Sequence, residues 1–110
     1  MEVRIAEELG CTVIVLTGRL DSSTTGTVEE KISPLVVENA KLIFDFSGCE
    51  YVSSAGLRLL LLTAKNLARE QGKGVLVSLN KEIQEVMDMT GFNNLFPVTD
   101  TRKQAVAYLA

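Results

Sequence analysis

Apolar and polar residues alternate along "VRIAEE" (3–8), the pattern of a strand with one wet face at the edge of a sheet. "TVIVLTG" and "KLIFDF" are instead continuous apolar runs rich in β-branched and aromatic residues, which suits central strands covered on both faces. "GVLVSL" repeats that signal after the Gly72-Lys73-Gly74 break. "LFPV" is short and carries Pro97, which makes it a marginal edge strand.

Between these runs the period lengthens to that of a helix. Val28, Ile32, Leu35 and Val36 recur at i, i+4, i+7 and i+8, giving a first helix with one apolar face. Asp21 and Ser22 are its N-cap candidates, and Pro34, which lacks a backbone donor, predicts a kink or a late start. In the second helix Leu57, Leu60, Leu61, Ala64, Leu67 and Ala68 fall within a stripe of about 120°, and Gly72 closes the run. Leu59 and Leu62 lie off that stripe, beside Arg58, Asn66 and Arg69. Two accounts fit them: packing against a neighbouring helix, or a partner-binding patch of Arg58, Leu59 and Leu62. A third helix follows the N-cap Asn80, carries Ile83, Val86 and Met87, and stops at Gly91. The last, "RKQAVAYL", follows Asp100 and Thr101.

The resulting order, ββαβαβαβα, defines an α/β fold. We expect a small, mixed, mostly parallel sheet of about four or five strands flanked by about four helices, with the first strand joined antiparallel. Residues 1–110 read as a single domain, with no linker, repeat or low-complexity tract. Sites in such sheets gather at the carboxyl ends of strands, here "LTGRLDSST" and "DFSGCEYVSSAG".

Composition narrows the chemistry. The 110 residues are 46% hydrophobic, enough for a core without disulfide or metal staples. A net charge of −3 with no basic cluster argues against nucleic acid or an anionic membrane surface as partner. No apolar stretch approaches the roughly 20 residues of a membrane span, and the N-terminus lacks a signal-peptide pattern, so a cytoplasmic protein is expected. Cys11, in a strand, and Cys49, in an apparent loop, have no metal-site spacing and read as ordinary thiols; neither a metal nor a cofactor is expected. Histidine is absent, which removes the usual base for a serine or cysteine nucleophile, and neither G-x-S-x-G nor a P-loop occurs. These features point away from an enzyme.

The remaining chemistry sits in "EYVSSAGLRLLLL" (50–62). A serine ahead of an amphipathic helix accepts a hydrogen bond from the first turn, and for at least one of Ser53 and Ser54 this account suffices. In the functional reading a hydroxyl at the helix N-terminus is exposed at a strand end, where a phosphate, nucleotide or other anion would meet free N–H groups. Ala55 and Gly56 are small enough to admit another protein's active site. Asp21 and Asp45, near the ends of adjacent strands, read either as turn or cap carboxylates or as a small acidic rim positioning the hydroxyl or a kinase-bound Mg²⁺.

With these residues the sequence resembles the STAS domain family, specifically the bacterial anti-sigma factor antagonists. The matching stretches are "LTGRLDSST", "LIFDFSGCEYVSSAGLRLLL" and "MTGFNNLFPVTDTRKQAVAYL", in the same order and spacing. The resemblance implies a serine, at the start of the second helix, phosphorylated by a partner that is both anti-sigma factor and kinase. The unphosphorylated form binds that partner and frees a sigma factor; phosphate breaks the complex, and a phosphatase resets it. The family's D-S-S-G-L aligns with Ser53 to Leu57, which makes Ser54 the acceptor, with Ser53 as alternative, and matches Asp21 to the acidic residue beside it. Where the family often has aspartate before the acceptor, this chain has Ser53. The other function in view is a non-switching STAS scaffold in a larger signalling assembly. The expected state is a monomer or weak dimer.

Overall fold

The computed structural model describes all 110 residues. Five strands, β1 (Glu2–Glu8), β2 (Cys11–Leu20), β3 (Lys41–Val52), β4 (Lys73–Val77) and β5 (Val98–Thr99), form one sheet in the order β1-β2-β3-β4-β5. β1 pairs antiparallel with β2, and the other pairings are parallel. Four helices, α1 (Thr25–Ile32), α2 (Ser54–Arg69), α3 (Lys81–Thr90) and α4 (Arg102–Leu109), complete the expected order.

The topology places the helices. Parallel strands adjacent in both sequence and space need right-handed crossovers, and repeating the same crossover in one direction puts every connecting helix on one face. Accordingly Val28 and Ile32 of α1, Leu59, Leu60 and Leu67 of α2, and Ile83 and Met87 of α3 share a 19-residue core with Leu16, Leu42, Phe44 and Leu76 of the sheet. Phe44 meets Phe96 edge to face at 5.6 Å between ring centroids. Only α4, which follows the last strand, covers the other face, through a 7-residue cluster that includes Val13, Ile43, Val75, Ala105 and Leu109.

Three local features differ from expectation. α1 begins after Thr24 rather than after Asp21 or Ser22, because the Asp21 carboxylate is engaged inside the loop by Ser23. It ends at Ile32, and Pro34 continues the chain as a single 3₁₀ turn, Ser33–Leu35. α2 ends one residue earlier than Gly72 suggested. Gln71 takes the left-handed conformation (φ 57°), and Gly72 N–H donates to the Leu67 carbonyl at 2.8 Å, so Gly72 is the residue after the turn. A Cβ there would lie 3.0 Å from the Ala40 carbonyl oxygen, which explains the glycine.

The largest difference is in β3, which continues past Phe46 to Val52, so Cys49 lies buried in a strand, not in a loop. Its register against β2 shifts twice: Val15 opposes Asp45 but Thr17 opposes Gly48, and Gly18 opposes Cys49 but Arg19 opposes Tyr51. Each shift inserts an extra β3 residue, a bulge that breaks the alternation by which a strand is recognised. β4 pairs only with Lys41–Asp45, leaving the rest of that β3 edge open. Asn80 partly covers it. Its Oδ1 caps α3 at Ile83 N–H (2.8 Å) while its Nδ2 donates to the carbonyls of Cys49 (3.4 Å) and Glu50 (3.3 Å).

Candidate functional site at the start of the second helix

The bulged end of β3 delivers the chain to α2 beside the end of β2. Ser53 N–H donates to the Leu20 carbonyl at 2.9 Å, which extends the strand pairing by one bond. Ser53 is half-buried and extended (φ −85°, ψ 177°), the backbone of an N-cap, and its Oγ accepts from Gly56 N–H at 3.3 Å. Leu57 N–H donates to the Ser53 carbonyl at 2.9 Å. Ser54 is the first helical residue and exposed, and its hydroxyl has no protein partner. The two serines thus divide the tasks: Ser53 holds the helix, and Ser54 is presented to solvent.

Gly56 is buried, so it does not open the surface to a partner as expected from sequence. A Cβ there would come within 2.9 Å of the Leu20 carbonyl oxygen, Leu20 Cγ and Val52 Cγ1. Its glycine lets the first turn of α2 press onto the ends of β2 and β3. Only half-buried Ala55 adjoins Ser54 on the outside.

Asp21 directly follows Leu20, in the loop beside this turn. Its Oδ1 accepts from Ser23 Oγ (2.6 Å) and Ser23 N–H (3.0 Å), while Arg19 Nε stands 3.9 Å from Oδ2. The Ser23 hydroxyl, then the Ser23 amide and Arg19, hold its carboxyl below the usual carboxylate range, so Asp21 is ionised at neutral pH. The Arg19 guanidinium also lies 4.4 Å from the centre of the Tyr51 ring. Sequence reasoning missed this stack, because the bulges decide that Arg19 opposes Tyr51.

Asp45 is not part of a rim around Ser54. Alternation along β3 sends Phe44 and Phe46 to the α2 face and Asp45 to the α4 face. There it is 4% exposed, accepts from Ser47 N–H at 2.8 Å, and pairs with Arg102 Nε at 2.8 Å. Arg102 Nη1 also reaches Glu8 at 3.3 Å. Burial pushes the Asp45 carboxyl up, but the Ser47 amide and Arg102 outweigh it and hold the group below its ordinary value. No cluster of three or more His, Cys, Asp or Glu residues has the geometry of a metal site.

Of the candidate patch, Leu59 is core, 6% exposed, whereas Leu62 is 41% exposed and Arg58 is exposed. The buried side of α2, Gly56, Leu59, Leu60, Thr63 and Leu67, is rotated from the predicted stripe. Thr63 is buried because its hydroxyl donates to the Leu59 carbonyl at 2.8 Å, so it brings no unmet polar group into the interior. Leu59 and Thr63 face α1 across an open groove of about 270 Å³ that also touches Ile32 and Val36. A shallower hollow of about 150 Å³ continues it toward the start of α2, between Thr25 and Glu29 of α1 and Ala55 and Arg58 of α2. Leu62 lines both, so the groove runs from beside Ser54 along the α1–α2 seam.

The chain belongs to the STAS domain family, whose model matches residues 2–105. It is 34% identical over 99 residues to BtrV of Bordetella bronchiseptica, assigned as an anti-sigma factor antagonist, covering 89% of this chain and 85% of that one. Its fold matches that of an anti-sigma-factor antagonist (STAS) domain protein from Planctomyces limnophilus with a TM-score of 0.88 at 23% identity, covering 98% and 97% of the two chains. It also matches the Bacillus anti-sigma factor antagonist SpoIIAA at 20% identity, with TM-scores of 0.76 for the unphosphorylated form (98% and 97% covered) and 0.74 for the phosphorylated form (99% and 100% covered). No helix of this chain is long and apolar enough to cross a membrane.

Proposed function

We propose that this protein is an anti-sigma factor antagonist of the cytoplasm that acts by binding rather than catalysis, as a single STAS domain over residues 1–110. Its unphosphorylated form sequesters an anti-sigma factor with serine kinase activity and so releases a sigma factor. Ser54 is the phosphoacceptor. The observation that carries this reading is the division between the serines: Ser53 Oγ is committed to Gly56 N–H, and Ser54 Oγ is exposed and uncommitted. A kinase can take the Ser54 hydroxyl without unfolding the cap. Ser53 also fills, with a hydroxyl, the capping place that aspartate often takes in the family.

The switch is of adequate size without refolding. Phosphate adds about −1.5 to −2 charges at neutral pH. A like-charge pair at about 4 Å costs about 1 kcal/mol in water and about 4 kcal/mol at an effective dielectric near 20. A hundredfold loss of affinity requires only about 2.7 kcal/mol. SpoIIAA has the fold of this chain in both its unphosphorylated and its phosphorylated form, which supports a switch without refolding. The partner's docking surface comprises Asp21, Ser54, Ala55, Arg58 and Leu62, with the α1–α2 groove alongside. A phosphatase resets the site.

Phosphosite mapping of the protein from its native cells, with and without stress, tests this reading. Phosphate on Ser54 with stress-dependent occupancy is the expected result. Phosphate on Ser53 would reassign the acceptor, and an unmodified protein across varied stresses would favour a non-switching scaffold.

A further inference from the structure

Arg58 lies one turn beyond Ser54, at i+4 on the same helix face, where side chains are neighbours with Cβ atoms about 6 Å apart. It is exposed and has no partner: the ion pairs of this protein use Arg19 and Arg102 only, and no hydrogen bond holds the Arg58 guanidinium. Arg19, the other arginine at this end of the sheet, is already engaged by Tyr51 and Asp21. Arg58 lines the hollow beside Ala55, across from Glu29, without forming an ion pair to that carboxylate. It therefore stands free at the head of the α1–α2 groove.

We propose that Arg58 is the cis counter-ion of phosphorylated Ser54. The inference rests on Ser54 being the acceptor and adds how the modified site is read. An anion placed four residues N-terminal to a cation is the favourable order on a helix, and a phosphate on the first residue of α2 also meets the positive end of the helix macrodipole. Phosphate offers three acceptor oxygens, and the guanidinium fork can meet two at once. Before phosphorylation Arg58 is available to a partner seated on the groove. Afterwards it is folded back onto the phosphate, so modification both adds negative charge and withdraws a positive contact. Of the other charges at this end, Glu29 on α1 and Asp21 in the β2–α1 loop are anionic and oppose the phosphate, and Arg19 is engaged by Asp21 and Tyr51. Arg58 is the cation one turn from Ser54 that no other group holds.

The test uses full-length protein with phosphoserine installed at position 54 during synthesis, so no kinase is needed. ³¹P NMR titration reads the second ionisation of the phosphate in this protein and in its Arg58→Gln variant. A cis pair lowers that pKa by roughly 0.15–0.4 unit relative to the variant, in the size range of helix ion pairs. The difference shrinks in molar salt, and the Arg58 Nε–Hε resonance shifts on phosphorylation. Equal pKa values in the two proteins, or an unmoved Arg58 resonance, would overturn the pairing. Because the phosphate is installed synthetically, this result is separate from whether cells phosphorylate Ser54, which the mapping experiment decides.

Discussion

The two faces of the sheet are held in different ways. The face under α1, α2 and α3 rests on a large apolar cluster, and its polar side chains, the caps Ser53 and Asn80 and the buried Thr63, are satisfied by backbone groups. The face under α4 has a small cluster and, at its centre, a buried carboxylate tied to the first residue of its only helix. Asp21 and Asp45 show the contrast at residue level. Both are acidic and both have depressed pKa values, Asp21 just after the end of β2 and Asp45 within β3. Yet Asp21 is fixed by its own loop, and Asp45 by a residue 57 positions away. The proposed switch sits on the face whose stability does not depend on charge, so a phosphate can be added there without loosening the fold.

The contrast is broken most severely at the apolar core. Leu60 is 1% exposed under α2, and Leu60→Ala should cost about 3 kcal/mol in denaturant unfolding, through lost burial and a residual cavity. That cost should not vary with pH.

On the other face, Arg102→Met should cost about 2 kcal/mol at neutral pH, because it leaves the Asp45 carboxylate buried without its counter-ion. The figure is at the low side of such losses because the Arg102 side chain is 37% exposed. Here pH matters. The folded pKa of Asp45 lies below its unfolded value, so its ionised form contributes stability above about pH 4, and this is lost as pH falls through the folded value. In Arg102→Met the Ser47 hydrogen bonds remain but the arginine's share of the lowering is gone, so Asp45 protonates more readily. Unfolding measured from pH 7 down to 3 should therefore show the wild-type advantage narrowing in acid, unlike the constant deficit of Leu60→Ala. A pH-independent deficit for both would mean that the α4 face is held by packing alone.

Element order was legible because long apolar runs and helical periods survive in any tertiary context. The antiparallel β1 and the caps at Asn80 and Gly91 follow from short-range chemistry, and the structure has them. What was hidden depends on pairing. β3 looked complete at Phe46, since bulges erase the period-two signal just where the strand turns toward the site. The facing of α2 was misplaced because leucines occur on every side of it, and α1 and the sheet together, more than the helix alone, decide which are covered. Asp45 carried no sign of Arg102, which is distant in sequence and meets it only after α4 docks. At the site, sequence showed that at least one of the two serines can cap α2; the Gly56 N–H bond decides that it is Ser53.

That decision gives the two smallest stability effects. Ser53→Ala removes the only side-chain acceptor on the first turn of α2 and should lower stability by about 1 kcal/mol, while Ser53→Asp should preserve or improve the cap. Ser54→Ala should change stability by less than about 0.5 kcal/mol, since the exposed hydroxyl has no partner to lose and alanine is a good helix former. The functional ranking should be the reverse. Ser54→Ala should abolish phosphate incorporation and lock the binding-competent form, whereas Ser53→Ala should remain a substrate, with unfolding curves and phosphate incorporation measured on the same preparations. If Ser54→Ala destabilised the protein more than Ser53→Ala, the hydroxyls would have exchanged roles, and the free one would be Ser53.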